Sequence, residues 1–230
     1  MGLNVGIIPD GNRRWARQKR LEDWKGHEEG AKRAEELLKY IVKNYPEIKG
    51  VTFWAFSTEN FKRSIMEKRV LFGIFRDYIK NLMADEVIHD NRVKIKVVGS
   101  DFNKVPLSLK KVANQAMELT KNYSKVIFNV AIGYGGKRDI NNALFKMADW
   151  VIDKGKTINP VKMFENFLEV KEPFDIVIRT GGERRLSGFG SYNIDYAELF
   201  FVDKLWPDFH EEDFDKIMKE FRKRERRYGK

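Results

Sequence analysis

The sequence predicts an α/β protein, a single domain over residues 1–230 built on a mostly parallel six-stranded sheet flanked by helices. Two observations carry this expectation. Short apolar runs rich in β-branched residues alternate with amphipathic stretches of helical spacing, and no linker, repeat or low-complexity segment interrupts the alternation. A chain of 230 residues also suffices for one sizeable hydrophobic core.

The elements follow in order. Leu3–Ile8, Val51–Phe56, Val93–Val98, Val126–Ile132 and Phe174–Ile178 read as strands, with Leu199–Val202 a weaker sixth. Between the first two, Ala31, Ala34, Leu38, Ile41 and Tyr45 repeat at helical spacing. Leu71, Phe75, Tyr78 and Leu82 mark a second helix, and Leu109, Val112, Ala116 and Leu119 a third, with Pro106 near its first turn. Ile140, Leu144, Met147 and Val151 mark a fourth. The segment Glu211–Arg227 sets Phe214, Ile217, Met218 and Phe221 on one face and cations on the other.

Composition narrows the chemistry. There is no cysteine, which excludes disulfides, thiol catalysis and thiolate metal sites, and the three histidines lack ligand spacing for zinc. No stretch is long and apolar enough for a membrane helix, and the start carries no secretory pattern, so a cytoplasmic location is expected. The net charge of +10 suits a polyanionic partner or a phosphorylated substrate, although a surface rich in Lys and Glu would give the same total.

Position discriminates. In open α/β sheets ligands lie beyond the carboxyl ends of the strands. The first strand is followed by Asp10-Gly11-Asn12-Arg13-Arg14, and the second by Ser57-Thr58-Glu59-Asn60-Phe61-Lys62-Arg63. The fourth is followed by Gly133-Tyr134-Gly135-Gly136-Lys137-Arg138, and the fifth by Arg179 through Ser187. Glycines, hydroxyls, amides and arginines together suit a phosphate-binding rim. None of these loops has P-loop or GxGxxG spacing. Alone, Asp10 reads equally well as a turn aspartate or helix cap.

Six segments in one order resemble the cis-prenyltransferases, the family of undecaprenyl and dehydrodolichyl diphosphate synthases. They are "PDGNRRWA", "GHEEGAKRAEELLKY", "FWAFSTENFKRS", "GYGGKRDI", "IVIRTGGERRLSGF" and "YAELFFVDKLWPDF". The resemblance implies Mg2+-dependent addition of isopentenyl diphosphate to an allylic diphosphate primer, farnesyl or geranylgeranyl, with each new double bond cis. The product would be a polyprenyl diphosphate such as undecaprenyl diphosphate, a precursor of lipid glycan carriers.

The same resemblance assigns residues. Asp10 would organise Mg2+, with Glu198 the second metal-associated carboxylate, and Gly11, Asn12, Arg13, Arg14, Trp15 and His27 would surround the primer. Ser57, Thr58, Glu59, Asn60, Phe61 and Arg63 form the second loop, with Asn60 in the proton-removal step as a positioner or relay, because an amide is a poor base. Arg179, Arg185, Leu186 and Ser187 match the isopentenyl diphosphate clamp. An apolar tunnel is implied for the product, with Leu37, Ile41, Phe53, Ala55, Leu71, Phe72, Phe75, Val97, Val126 and Phe128 as candidate walls, although core packing explains most of them equally well. A homodimer is implied, whose C-terminal Arg227 and Gly229 reach the partner's site, with peripheral membrane association through the product. Asp23 departs from the family pattern, standing where bacterial members commonly carry an arginine, and Arg13 stands where many have glycine. Segment 188–196 departs as well.

Two other classes compete. A non-catalytic partner subunit typically lacks the N-terminal aspartate that this chain keeps. A basic nucleic-acid-binding module would need a continuous cationic face and steep salt dependence, and nucleic acid is not expected here.

Overall fold

The computed structural model describes residues 2–154 and 159–224. Strand β1 (Leu3–Ile8) leads through a short helix α1 (Asn12–Gln18) and a long helix α2 (Asp23–Asn44) to β2 (Ile48–Ser57). Helices α3 (Ile65–Ala84) and α4 (Glu86–Asp90) precede β3 (Val93–Val98), and α5 (Leu107–Leu119) precedes β4 (Val126–Tyr134). Then come α6 (Gly136–Lys154), α7 (Pro160–Phe167), β5 (Ile176–Arg179), β6 (Glu198–Phe201) and α8 (Glu211–Phe221).

The six strands form one sheet in the order β3-β4-β2-β1-β5-β6, and every pairing is parallel. Strand alternation divides the apolar residues between two faces. Val5, Ile7, Phe53, Phe128 and Ile178 pack with α2, α3, α5 and α8 through side chains such as Leu38, Phe75, Val112 and Phe214. Ile8, Ala131 and Val177 face the other way, toward Tyr134, Phe174 and Phe189. The expected α/β architecture is therefore present, with all strands parallel.

Strands β2 and β4 run longer than expected and β6 begins and ends one residue earlier, and two further boundaries differ for local reasons. Phe174 precedes β5, because its N–H is taken by the Asn193 carbonyl at 2.7 Å and not by a neighbouring strand. Helix α8 ends at Phe221, the last apolar residue of its buried face. Helix α7 was not anticipated, although Asn159 accepts from the N–H groups of Val161 and Lys162 and Pro160 fills the first turn, a readable start signal.

Helices α1 and α2 pack at van der Waals distance because Gly26 presents no side chain. A Cβ there would overlap the main-chain carbonyl of Asn12. Gly26→Ala is therefore expected to destabilise the protein by about 1–3 kcal/mol, read from denaturant unfolding, as overpacking of a fixed contact does.

Candidate active site

The carboxyl ends of β2, β1 and β5 lie side by side, and the loops that follow them share one cleft. Asp10 is its pivot. The Asp10 carbonyl accepts from Thr180 Oγ1 at 2.8 Å and from the Trp206 N–H at 3.0 Å, which ties together the loops after β1, β5 and β6. Gly11 turns the chain at φ +111°, a conformation that suits glycine, and a Cβ there would also press on Leu205.

With its main chain fixed, Asp10 turns its carboxylate toward two guanidinium groups. Arg179 Nη2 donates to Asp10 Oδ2 at 2.8 Å, and Arg14 Nη2 lies 3.4 Å from Oδ1. Arg179 closes β5 with a side chain only 6% exposed, and its Nη1 donates to the Arg185 carbonyl at 2.5 Å and to Ser187 Oγ at 2.9 Å. Ser187 adopts φ +52°, uncommon for a residue with a Cβ, while its hydroxyl oxygen accepts from Arg179. Arg14 Nη1 donates to the Gly181 carbonyl at 2.8 Å.

The loop after β2 is fixed by a reciprocal cap. Ser57 Oγ accepts from the Asn60 N–H at 3.3 Å, and Asn60 Oδ1 accepts from the Ser57 N–H at 3.1 Å. This bond assigns the amide orientation: the oxygen is engaged by backbone and the NH2 group is left for the cleft.

The cleft encloses about 510 Å³. Arg13, Arg14, Arg17, Arg63 and Arg179 line it with His27, and Asp10 is the one carboxylate among its described lining residues. Burial first, then the positive charge of Arg13, pulls the Arg63 guanidinium below its ordinary value. Burial first, then Arg63 and Arg13, brings His27 down to about 4. His27 is thus neutral at pH 7, and five guanidiniums line the cleft, two of them, Arg13 and Arg17, also paired with Asp23 beside it. Such a site attracts a multivalent oxyanion whose paired oxygens match the planar guanidinium fork, above all a diphosphate.

The His27 shift has a signed consequence. Between pH 6.5 and about 4 the unfolded chain binds a proton that the folded chain refuses, so stability falls as pH drops through that window. Replacing His27 by glutamine should flatten that part of the melting-temperature profile. Bound diphosphate offsets the two arginine charges, so NMR titration of His27 should give a higher pKa in its presence.

Behind His27, Asn12 and Ala55 a second, largely apolar cavity of about 60 Å³ continues between α2, α3 and the sheet, lined by Phe53, Phe75, Tyr78 and Val130. Of the tunnel candidates, Phe53, Ala55 and Phe75 border this cavity and Leu71 borders the cleft. Leu37, Ile41, Phe72, Val97, Val126 and Phe128 belong to the packed core.

Other assigned residues lie elsewhere. Thr58 and Glu59 face a neighbouring cleft of about 590 Å³ with Gly135, Lys137 and Arg138, and Ser187 borders both clefts. Trp15 donates from its indole to Asp208 at 2.8 Å, and Phe61 packs edge-on against Phe56. Arg185 gives its carbonyl to Arg179 while its exposed side chain pairs with Glu183, and Leu186 packs against the second core cluster. Glu198 does not meet Asp10 within this chain. It begins β6 opposite Ile176, at the amino end of the strand, and Arg224 donates to it at 2.6 Å. Arg227 and Gly229 lie outside the described residues. Arg17 was missed as a lining residue, although its spacing of four from Arg13 on α1 places the two on one face.

Comparison with known proteins identifies the family. The sequence profile of the undecaprenyl diphosphate synthase family matches residues 8–229. The chain is 40% identical to the tritrans,polycis-undecaprenyl-diphosphate synthase (geranylgeranyl-diphosphate specific) of Thermococcus kodakarensis, over 99% of this chain and 86% of that one. It is 35% identical to the enzyme of the same name from Pyrobaculum aerophilum, over 99% and 95%. Lavandulyl diphosphate synthase from Lavandula x intermedia, solved in complex with dimethylallyl diphosphate, superposes with a TM-score of 0.91 at 30% identity, over 99% of this chain and 98% of that one. A probable undecaprenyl diphosphate synthase from Campylobacter jejuni superposes with a TM-score of 0.79 at 27% identity, over the full length of both. With the arginine-lined cleft at the carboxyl ends of its central strands, the chain belongs to the cis-prenyltransferase family, that of the undecaprenyl diphosphate synthases.

Proposed function

We propose that the protein elongates an allylic diphosphate by successive cis additions of isopentenyl diphosphate, using geranylgeranyl diphosphate as primer and giving undecaprenyl diphosphate. The cleft lined by five arginines, two of them on Asp10, with an apolar cavity behind it, is the observation that carries this reading. The choice of primer rests on the archaeal relatives, whose names specify geranylgeranyl diphosphate.

In this reading Arg13, Arg14, Arg63 and the Asn60 amide bind the primer's diphosphate, and the chain enters the apolar cavity. As the allylic C–O bond ionises, negative charge grows on the departing diphosphate, and donors already in place stabilise it without reorganising. Asn60 acts by donation, because its oxygen is engaged by Ser57. Arg179 holds Asp10 on one side and, with Ser187, binds isopentenyl diphosphate on the other.

Mg2+ suits the site. Among the described residues no cluster of three His, Asp or Glu side chains could hold a metal unaided. Mg2+ binds through one or two carboxylates together with substrate phosphates, which one cleft carboxylate among arginines provides. Asp10 would hold it, and when bound it neutralises diphosphate charge.

A homodimer completes the proposal. Strand β6 is an edge strand, and Phe145, Ile152 and Val161 on α6 and α7 are 73%, 82% and 58% exposed. Glu198 and the tail residues Arg227 and Gly229 would then serve the partner's site. Two inactive variants, Asp10→Asn and a deletion of 227–230, should recover activity when mixed under subunit exchange. No recovery in verified mixed dimers would refute tail sharing. For the primer, kcat/KM should favour geranylgeranyl over farnesyl diphosphate by tenfold or more, about the discrimination that a few added chain carbons provide. Equal values would overturn the primer assignment. No described helix is long and apolar enough to cross a membrane, so any membrane association would be peripheral, through the product.

A further inference from the structure

Helices α1 and α2 each bring two residues, one turn apart, to the rim of the cleft. On α1 they are Arg13 and Arg17, and on α2 they are Asp23 and His27. Asp23 joins the two helices. Arg13 Nε donates to Asp23 Oδ2 at 2.7 Å, while Arg17 donates from Nε to Oδ1 and from Nη2 to Oδ2, both at 2.8 Å.

A guanidinium has five N–H donors. Asp23 takes only the Nε side of Arg13 and one flank of Arg17. The Nη groups of Arg13 make no hydrogen bond among the described residues, Glu67 standing 3.7 Å from one of them, and Arg17 Nη1 is likewise left over. Both arginines line the cleft.

We propose that Asp23 is a positioning residue for the allylic substrate: it grips Arg13 and Arg17 from the Nε side and leaves their outer forks set for the diphosphate. The inference rests on the reading of the cleft as the primer's diphosphate site. An aspartate beside a cleft built for an anion is otherwise unfavourable, since its charge repels the ligand. Its placement makes sense if the order it imposes on two long side chains outweighs that repulsion. Their conformational freedom is then lost on folding and not on binding.

The pairs are too exposed to serve stability. Side-chain exposures are 42% for Arg13, 61% for Arg17 and 31% for Asp23, and ion pairs this open contribute little to folding. Asp23 stands in the first turn of α2, where the helix dipole favours a carboxylate. Arg17 first, and Arg13 after it, hold its carboxyl down to about 2, so it stays charged at any working pH.

The sign of one measurement decides. If Asp23 merely competes with the ligand, Asp23→Asn removes a negative charge and tightens anion binding. If it positions, the same variant loosens binding. We expect calorimetric titration with inorganic diphosphate to show affinity about tenfold weaker in Asp23→Asn, with the primer KM raised by a similar factor. The KM for isopentenyl diphosphate should stay within about twofold, and Asp23→Glu should recover part of the loss. In an Arg13→Ala, Arg17→Ala background Asp23→Asn should weaken binding no further. Thermal melting checks folding of each variant, and Asp23→Glu, which keeps the charge, carries the test should the asparagine variant fold poorly. Tighter or unchanged binding in Asp23→Asn would overturn the proposal. Failure of the parent protein to bind inorganic diphosphate would overturn the reading of the cleft itself, and the inference with it.

Discussion

Asp10→Asn should lower turnover about a thousandfold, the scale on which removal of a preorganised electrostatic group acts at a charge-developing transition state. The substitution keeps shape and removes charge from the centre of the cleft, where Arg179 lies 2.8 Å away and Arg14 3.4 Å away. Asparagine is the better probe than alanine, since Arg179 is almost wholly buried and would otherwise lose its partner and contact volume together. Breaking this pair costs no more than about 3 kcal/mol, because Asp10 itself is 33% exposed. The melting temperature should therefore fall modestly while turnover collapses. Near-normal turnover at saturating Mg2+ would remove Asp10 from the reaction.

Arg179→Lys has the next largest expected effect, and it preserves charge. The guanidinium reaches the Asp10 carboxylate through Nη2 and both the Arg185 carbonyl and Ser187 Oγ through Nη1, all from one planar group. An ammonium is a single point on a flexible stem and cannot hold all three in that geometry. The KM for isopentenyl diphosphate should rise about tenfold, and kcat should fall as Asp10 loses its orientation. Steady-state kinetics with each substrate varied in turn reads both. A change confined to the primer's KM would mean that the two diphosphate positions are exchanged.

What could be read from the sequence divides along physical lines. Strand period, helix period and the polar loops after the strands are local signals, and they located β1, β3 and the Asp10 and Ser57 loops closely. Arg179 was legible as a cation at a strand end. That its side chain would be buried, with three partners, depends on where a separate loop folds back through Ser187. Asn60 shows the same limit from another side. Its place beside the cleft is sequence-legible, but the capping bond that commits its oxygen is a property of the folded turn. Glu198 and Asp10 lie in matching motifs, yet parallel pairing sends the start of β6 to the far end of the sheet from the loop after β1. Asp23 read as a departure in isolation; only the packing of α1 on α2 turns it into the partner of Arg13 and Arg17.

Cis elongation itself is tested most directly by incubating the purified protein with Mg2+, labelled isopentenyl diphosphate and geranylgeranyl diphosphate, then following the label into butanol-extractable product. Dephosphorylated product should migrate as a polyprenol of undecaprenol length, with Z geometry at each newly formed double bond by NMR. Absence of label in the extract with any allylic primer, or new double bonds that are all E, would contradict the assigned reaction.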